Sequence, residues 1–597
     1  MREGNGRAYV RDARDAHMRG PCDRASVPME TADKPPGTEY IGYTFSLVFL
    51  TFGMKPAVFS TGEPRAEVNI MLKSIPPAPL SKFDEFLFQL FVPEDHYLRK
   101  VMACIDFERF RPRLCAFYHA EIGRPPVDPV RMLKALFLCF QYHLSDREVM
   151  KQTATDMAFR YFLGLGHKDE VPNHTNGTHF RNRLQEEGIR QIFQDLLTQA
   201  RDHGLISDRL RLKDATHILA DVADMRPIAL VAQVRESLWQ AAEPLFADTV
   251  DQQRAFYQTV QPSTAELPDE DRLAFRVEHL RGVTMVLQQQ LADLPTTQDK
   301  EAKRVKRLQR ALEVARKLLQ DRDNPQAGDR LASAMDPDAR CGKHGEFYVG
   351  YLVDMTMDSQ SEIITAVNVL PANGEEAADA ITLIRQEEEA QANKVEALSI
   401  DGAGYNGPVL RELTDPQGLN LDVTVPPKAA RERTTFPPDR FPLTVLENGT
   451  PVLTCPAGQT SGPGKPTEKH ATLYRFQAKQ CGACPLREEC LENPASKGGR
   501  TVQKNVYQAE YDKVAEKAKT PEYQETRRVH PKIERKLNEV ARHHHCRRAR
   551  YRGKGKVLVQ ALLTTLVVNI KRMVKLMARS VPPALGALAV RAEAAGS

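Results

Sequence analysis

Between residues 206 and 427 the hydrophobic pattern changes period several times, which no all-helical fold can accommodate. The stretch RLRLKDATHILADV (209–222) alternates apolar and polar residues and is rich in β-formers, so it reads as a strand with Asp214 in its middle. FYVGYLVDMTMD and SEIITAVNVL read as paired strands, and GEEAADAITLIRQEEEAQAN as a helix. KVEALSIDGAGYNG reads as a buried strand that ends on Asp401 before a glycine-rich turn, and NLDVTVPP as a further strand. Strands, then a helix, then strands again specify an α/β core. Residues 206–229 and 331–427 form its first parts, and helices over 501–580 complete it before a tail at 581–597. Two insertions interrupt it: a helical hairpin over 230–330, and a loop-rich segment over 428–500 that holds four cysteines.

Ahead of the core, residues 85–205 carry apolar residues at three- and four-residue spacing, with Ser145 or Asp146 as a helix cap. They form an all-helical N-terminal domain suited to DNA binding or oligomerisation. Residues 1–84 read as a poorly structured extension, and Met54 or Met71 could be the natural start. A chain of 597 residues exceeds one hydrophobic core, in keeping with several domains.

The net charge of +5 is unevenly spread. From Arg527 to Lys556 twelve Lys and Arg face two Glu, a local excess of +10, so the rest of the chain is net acidic. A basic stripe on a near-neutral protein points to a polyanionic partner held at one place, and nucleic acid fits best. Within it, RRARYRGKGK has the composition of a phosphate-tracking segment: Arg547, Arg548, Arg550 and Arg552 supply forked donors and Tyr551 can stack. HFRNRL in the N-terminal domain could also touch phosphates, although a solvated helix face is the commoner reason for such charges.

Ten cysteines are too few for a disulfide scaffold. Cys455, Cys481, Cys484 and Cys490 make C-x25-C-x2-C-x5-C, a set of soft ligands suited to a structural Zn²⁺ that would staple a loop-rich insert. Thiolates do not suit Mg²⁺, so such an ion is not a catalytic one. No run of 18 or more apolar residues spans a membrane, and IGYTFSLVFLTF (41–52) is too short. The apolar helix VLVQALLTTLVVNIKRMVKLMA, broken by Gln560, Asn569 and Lys571, reads as a core helix over the sheet.

Three acids stand out by position: Asp214 in the first core strand, Asp401 at a later strand end, and Glu534 on a C-terminal helix. Phosphodiester chemistry needs hard oxygen ligands for two Mg²⁺ roughly 4 Å apart, and acids from two strands and a helix can meet at one sheet edge. Helix phase separates Glu534 from Glu539. Ile533, Leu537, Val540 and Ala541 form the apolar stripe, Glu534 flanks it, and Glu539 lies about 140° further round. Glu534 is therefore expected to point at the sheet edge and Glu539 outward, into a solvated pair with an arginine. His543, His544 and His545 cannot chelate one ion from a regular helix, because adjacent side chains diverge by about 100°. One of them near Glu534 could contact phosphate, and the others are expected at the surface.

These acids, in this order and in these surroundings, resemble the DDE transposases of bacterial insertion sequences, in the branch with an all-helical N-terminal domain. The resemblance spans roughly residues 90–578, through GRPPVDPVRMLKALFL, RYFLGL, PNHTNGTHFRNRL, KDATHILA, DPDAR, FYVGYLVDMTMD, ALSIDGAGYNG, TCPAG, CGACPLREEC and IERKLNEVARHHHCRRARYRGKGKVLVQALLTTLVVNIKRM. It implies a ribonuclease-H-like mixed sheet and a catalytic triad of Asp214, Asp401 and Glu534 holding two Mg²⁺, with Mn²⁺ as a substitute. It further implies phosphate contacts from Tyr523, Arg527 or Arg528, and Arg542. The first motif departs from the common form, with Ala215 where serine is frequent. The implied activity is hydrolysis at transposon ends to free a 3′-OH, followed by transesterification into target DNA. A homo-oligomer would work on paired double-stranded ends, in the bacterial cytoplasm at the nucleoid and away from membranes. Two other functions fit the same residues: a transposase-derived DNA-binding protein that no longer cleaves, and a stand-alone metal-dependent nuclease.

Overall fold

The computed structural model describes residues 80–118, 126–223, 226–264, 267–294, 299–428, 435–447, 449–467 and 470–580. The extension at 1–79, with its apolar run and both alternative start methionines, lies outside them, as does the tail at 581–597. The described part opens with seven helices: α1 (Lys82–Phe91), α2 (Tyr97–Cys104), α3 (Arg111–Cys115), α4 (Pro129–Gln141), α5 (Asp146–Thr155), α6 (Met157–Leu163) and α7 (Thr175–Asp202). Their starts follow from capping chemistry. Asp128 accepts from the Arg131 N–H ahead of α4, and Ser145, not Asp146, caps α5 in a reciprocal pairing with Glu148.

The central sheet holds β1 (Leu210–Leu219), β2 (Arg340–His344), β3 (Glu346–Asp358), β4 (Ile364–Pro371), β5 (Ala397–Ser399) and β6 (Asp422–Thr424). Its order is β2-β3-β1-β5-β6, with β4 also on β3. β3 runs antiparallel to β1, β2 and β4, whereas β5 is parallel to β1 and β6 is parallel to β5. Gly350 lets β3 cross close to β1, since a Cβ there would strike the Ile218 carbonyl oxygen. The crossover helices α12 (Glu376–Gln391) and α13 (Gly407–Thr414) precede β5 and β6.

Between β1 and β2 the inserted segment folds as four helices rather than a hairpin: α8 (Pro227–Ala242), α9 (Ala247–Thr264), α10 (Asp269–Ala292) and α11 (Asp299–Asp323). The break at Glu243–Phe246 and the start of α10 after Pro268 divide what a continuous helical period would join. The bundle has its own core, with Trp239 buried beside Leu238, Leu280 and Leu312.

The cysteine-bearing segment holds a two-stranded sheet, β7 (Leu443–Val445) with β8 (Pro451–Leu453), and a three-stranded one of β9 (Lys465–Thr467), β10 (Ala471–Arg475) and β11 (Thr501–Asn505). Short helices α14 (Ala478–Gly482) and α15 (Arg487–Cys490) lie between β10 and β11. The chain then runs through α16 (Gln508–Lys517), α17 (Pro521–Val529), α18 (Pro531–Asn538), a five-residue π turn at Glu539–His543, and α19 (Lys554–Ser580).

One hydrophobic core runs from the N-terminal helices (Leu98, Phe137, Phe162, Phe193) through the sheet (Ile218, Tyr351, Val353) to α19 (Leu562, Val567, Met573). α19 is long and apolar enough to cross a membrane, but 89% of its most apolar window is buried inside the protein. Its polar interruptions serve as anchors. Asn569 exchanges two hydrogen bonds of 2.8 Å with the Ile364 backbone on β4, and Gln560 holds the Arg550 N–H and the Arg548 carbonyl at 2.7 and 2.9 Å.

Candidate active site

β1 is paired with β3 along one edge from Arg211 to Leu219. Its other edge is covered only at the ends. β5 pairs with residues 210–212, and Leu219 bonds the basic segment, donating to the Arg547 carbonyl at 2.9 Å and accepting from the Ala549 N–H at 2.8 Å. Asp214 sits in the gap between them. Because β1 and β5 are parallel with Leu212 opposite Ser399, two further residues along each strand bring Asp214 and Asp401 side by side. Asp401 caps a short 3-10 turn, where its Oδ1 accepts from the Ala403 N–H at 3.1 Å.

A third carboxylate joins them. Glu376, at the first position of α12, contributes an oxygen within 4.8 Å of those offered by Asp214 and Asp401. Burial pushes the Asp214 carboxyl up to about 7, and the negative charges of Asp401 and Glu376 add to this against the Ala215 N–H bond to its Oδ1. Three carboxylates drawn together in this way form a hard-oxygen set that suits a divalent cation such as Mg²⁺.

Lys213, on the opposite face of β1, is fully buried. Its ammonium donates to Glu376 Oε1 at 3.1 Å and to the Glu376 carbonyl at 2.9 Å, and it lies 3.0 Å from Asp354 Oδ2 as an ion pair. Burial alone would lower its pKa, but the two carboxylates reverse that and hold it charged. Sequence reasoning passed over both Glu376 and Lys213. The available signal was the acidic pair Glu375–Glu376 at a helix start, which reads more simply as charge complementing the helix dipole.

Glu534 is not a member of this carboxylate group. It is exposed on α18 and makes no hydrogen bond or ion pair among the described residues. Its helix is nonetheless tied to β5. The His530 ring, one turn before Glu534, lies 3.0 Å from the Ser399 hydroxyl, and Arg527 donates to the Ile400 carbonyl at 3.1 Å. The expected apolar stripe is present, with Ile533, Leu537, Val540 and Ala541 buried.

The expectation for Glu539 requires correction. It is half-buried rather than outward, and its partners are lysines, Lys536 at 2.9 Å and Lys571 at 3.1 Å, not an arginine. Burial opposes its ionisation, but the two ammonium groups outweigh that and hold it at about 2. The chain from Glu534 to Glu539 is regular α-helix, so the phase count holds, but Lys571 of α19 stands where solvent was expected. Of the histidines, His543 and His545 are exposed, as expected, whereas His544 is buried, with its ring 5.6 Å from that of His143 at the end of α4; His545 packs 4.2 Å from His143. His544 and His545 belong to the contact between the N-terminal helices and the core.

The basic segment divides two cavities. Arg547, Arg548 and Arg552 line one of about 950 Å³ with His217 and Tyr348, while Arg550 and Tyr551 line another of about 440 Å³ with Arg181. Arg552 also donates to the Asp221 carbonyl, and Arg550 lies over the Phe140 ring at 4.9 Å. Arg528 and Arg542 are exposed. In the N-terminal domain, Arg181 is paired with both oxygens of Asp146, which takes up its donors, and the exposed Arg183 stacks on Tyr118.

Cys455, Cys481, Cys484 and Cys490 line one cavity of about 20 Å³. The sulfurs of Cys455 and Cys481 accept backbone N–H bonds from Gln459 and Arg500. This donor set fits a soft tetrahedral cation.

Residues 86–183 match the family model described as a transposase domain, and residues 454–574 match that of a transposase DDE domain. No curated protein matches the chain.

Proposed function

We infer that this chain, which belongs to the DDE transposases of insertion sequences, cuts DNA at transposon ends and joins the freed strands to target DNA through Asp214, Asp401 and Glu534. The observation that carries this reading is the pairing of Asp214 and Asp401 at the open edge of β1, in a chain that matches a transposase DDE domain. The antiparallel β1–β3–β4 meander beside the parallel β5 and β6 supports a ribonuclease-H-like core.

Asp214 and Asp401 would hold two Mg²⁺ or Mn²⁺ ions, and Glu534, exposed and unpartnered, is free to turn toward them once DNA is bound. When bound, such ions supply a nucleophile at neutral pH and neutralise charge developing on the phosphate. The residues of the chain do the remaining work. The β1–β5 register holds Asp214 and Asp401 at a fixed separation, and the Ser399–His530 contact keeps the Glu534 helix beside them. Arg528, Arg542, Arg547, Arg548, Arg550 and Arg552 neutralise backbone phosphates and so set the register of the duplex. Arg527, by bonding the carbonyl next to Asp401, links that grip to the site.

The four cysteines would hold one structural Zn²⁺ that stiffens the insert. Cleavage of paired ends calls for a homo-oligomer on double-stranded terminal repeats, acting in the cytoplasm at the nucleoid. The test is Mg²⁺-dependent end cleavage and strand transfer by the parent and by Asp401→Asn. Activity in the parent and its loss in the variant are expected, and equal activity in both would overturn the site. Cleavage without strand transfer would favour a nuclease, and DNA binding without either would favour a silent derivative.

A further inference from the structure

Glu376 stands where a helix-start acid is ordinarily explained by the helix dipole, yet its contacts differ from that role. No side-chain bond to the N–H groups of α12 caps the helix. Its Oε1 and its own carbonyl are both held by the buried Lys213, which orients the side chain toward β1. Its second oxygen has no partner among the described residues, and its carboxylate meets those of Asp214 and Asp401 within 4.8 Å.

Lys213 has a second acidic neighbour in Asp354, which is fully buried and 3.0 Å from the same ammonium. A second carboxylate beside that pair, brought against two more acids, is unfavourable unless a cation lies among them. Two divalent ions also need more oxygen ligands than Asp214 and Asp401 can supply.

We propose that Glu376 is a ligand of the catalytic divalent cation, with Lys213 as the positioning residue that fixes its free oxygen toward Asp214 and Asp401. This rests on the transposase reading of the same site and adds to it an acid outside the expected triad. In the DNA-free chain, Asp214, Glu376 and Asp401 form the resident carboxylate set, and Glu534 joins from its separate helix.

The test is Mn²⁺ binding to the full chain without DNA, followed by the electron paramagnetic resonance signal of free Mn²⁺. Glu376→Gln keeps the shape and an oxygen for Lys213, so the fold should persist. It is expected to weaken Mn²⁺ binding about tenfold or more, as is Asp401→Asn. Glu376→Gln binding like the parent while Asp401→Asn loses the ion would overturn the role of Glu376 and leave the proposed function standing. Parent-like binding by Asp401→Asn, or no binding by the parent, would overturn the site itself. A second measurement needs no variant. With Fe²⁺ in place of Mg²⁺, ascorbate and peroxide cut the backbone next to the bound ion, and cuts are expected near residues 214, 376 and 401. Cuts at 214 and 401 alone would also overturn the role of Glu376.

Discussion

The His530 ring nitrogen Nδ1 lies 3.0 Å from the Ser399 hydroxyl, and this contact, beside that of Arg527 with the Ile400 carbonyl, ties the helix that carries Glu534 to the strand that delivers Asp401. Burial lowers the His530 pKa to about 4, with the Arg527 charge adding to the effect, so the ring is neutral at physiological pH. His530→Ala is expected to retain DNA binding but to slow end cleavage by about 100-fold, the scale of a 1 Å misplacement. Cleavage at the parent rate would show that the contact does not position Glu534.

Glu534 and Glu539 should fail in different ways. Glu534→Gln should abolish cleavage and leave the melting temperature unchanged, since no described residue depends on that side chain. Glu539→Gln removes the partner of Lys536, which is 5% exposed, and should cost about 1–3 kcal/mol of stability while sparing part of the activity. Melting curves and cleavage rates on the two variants decide it, and a worse catalytic defect at Glu539 would reverse the assignment.

His530 and His544 should each withdraw stability on mild acidification, whereas Asp214, raised to about 7 in the fold, acts in the opposite sense. His530 and His544 are both held at about 4 by burial, well below the unfolded value near 6.5. Between those values the two rings bind protons in the unfolded chain that the folded chain refuses, so their share of the stability is lost as pH falls from about 6.5 toward 4. At pH 5 each ring contributes a loss of about 2 kcal/mol. Glu539 adds a further loss at lower pH, as protonation in the unfolded chain near 4.5 precedes that in the fold near 2. His544→Gln should flatten the dependence of melting temperature on pH between 7 and 5; an unchanged slope would exclude His544 as a source.

Metal analysis of the purified chain is expected to find one zinc, lost in Cys484→Ser. Chelation should lower the melting temperature by unfolding the insert around Phe441 and Phe476, with the Mg²⁺ requirement for cleavage unaltered. Zinc-free protein with an unchanged melting temperature would leave the cysteines as free thiols.

Substituting Arg548 or Arg550 with Ala should weaken DNA binding about equally on all sequences and reduce the slope of log affinity against log salt by about 1 each. An unchanged slope would remove that arginine from the interface.

The local pattern was enough to determine several things about this protein. The alternating period over 209–222 specified β1, the apolar run ending at Asp401 specified β5, and the charge excess around residues 527–556 marked the basic segment. Each is a property of neighbouring residues, and periodicity reports on such properties directly. Gln560 and Asn569 were legible as interruptions of an apolar helix, although their partners were not.

Only the tertiary structure decided which acids meet. Asp214 and Asp401 come together because β1 and β5 are parallel in one register, a pairing between residues 187 positions apart that no local period encodes. Glu376 enters because α12 begins soon after β4 ends and the buried Lys213 holds its carboxylate and carbonyl. Glu539 is engaged rather than solvated because the distant Lys571 of α19 packs against its side of the helix. In each case the deciding contact is long-range, so its free energy depends on packing that the linear pattern does not contain.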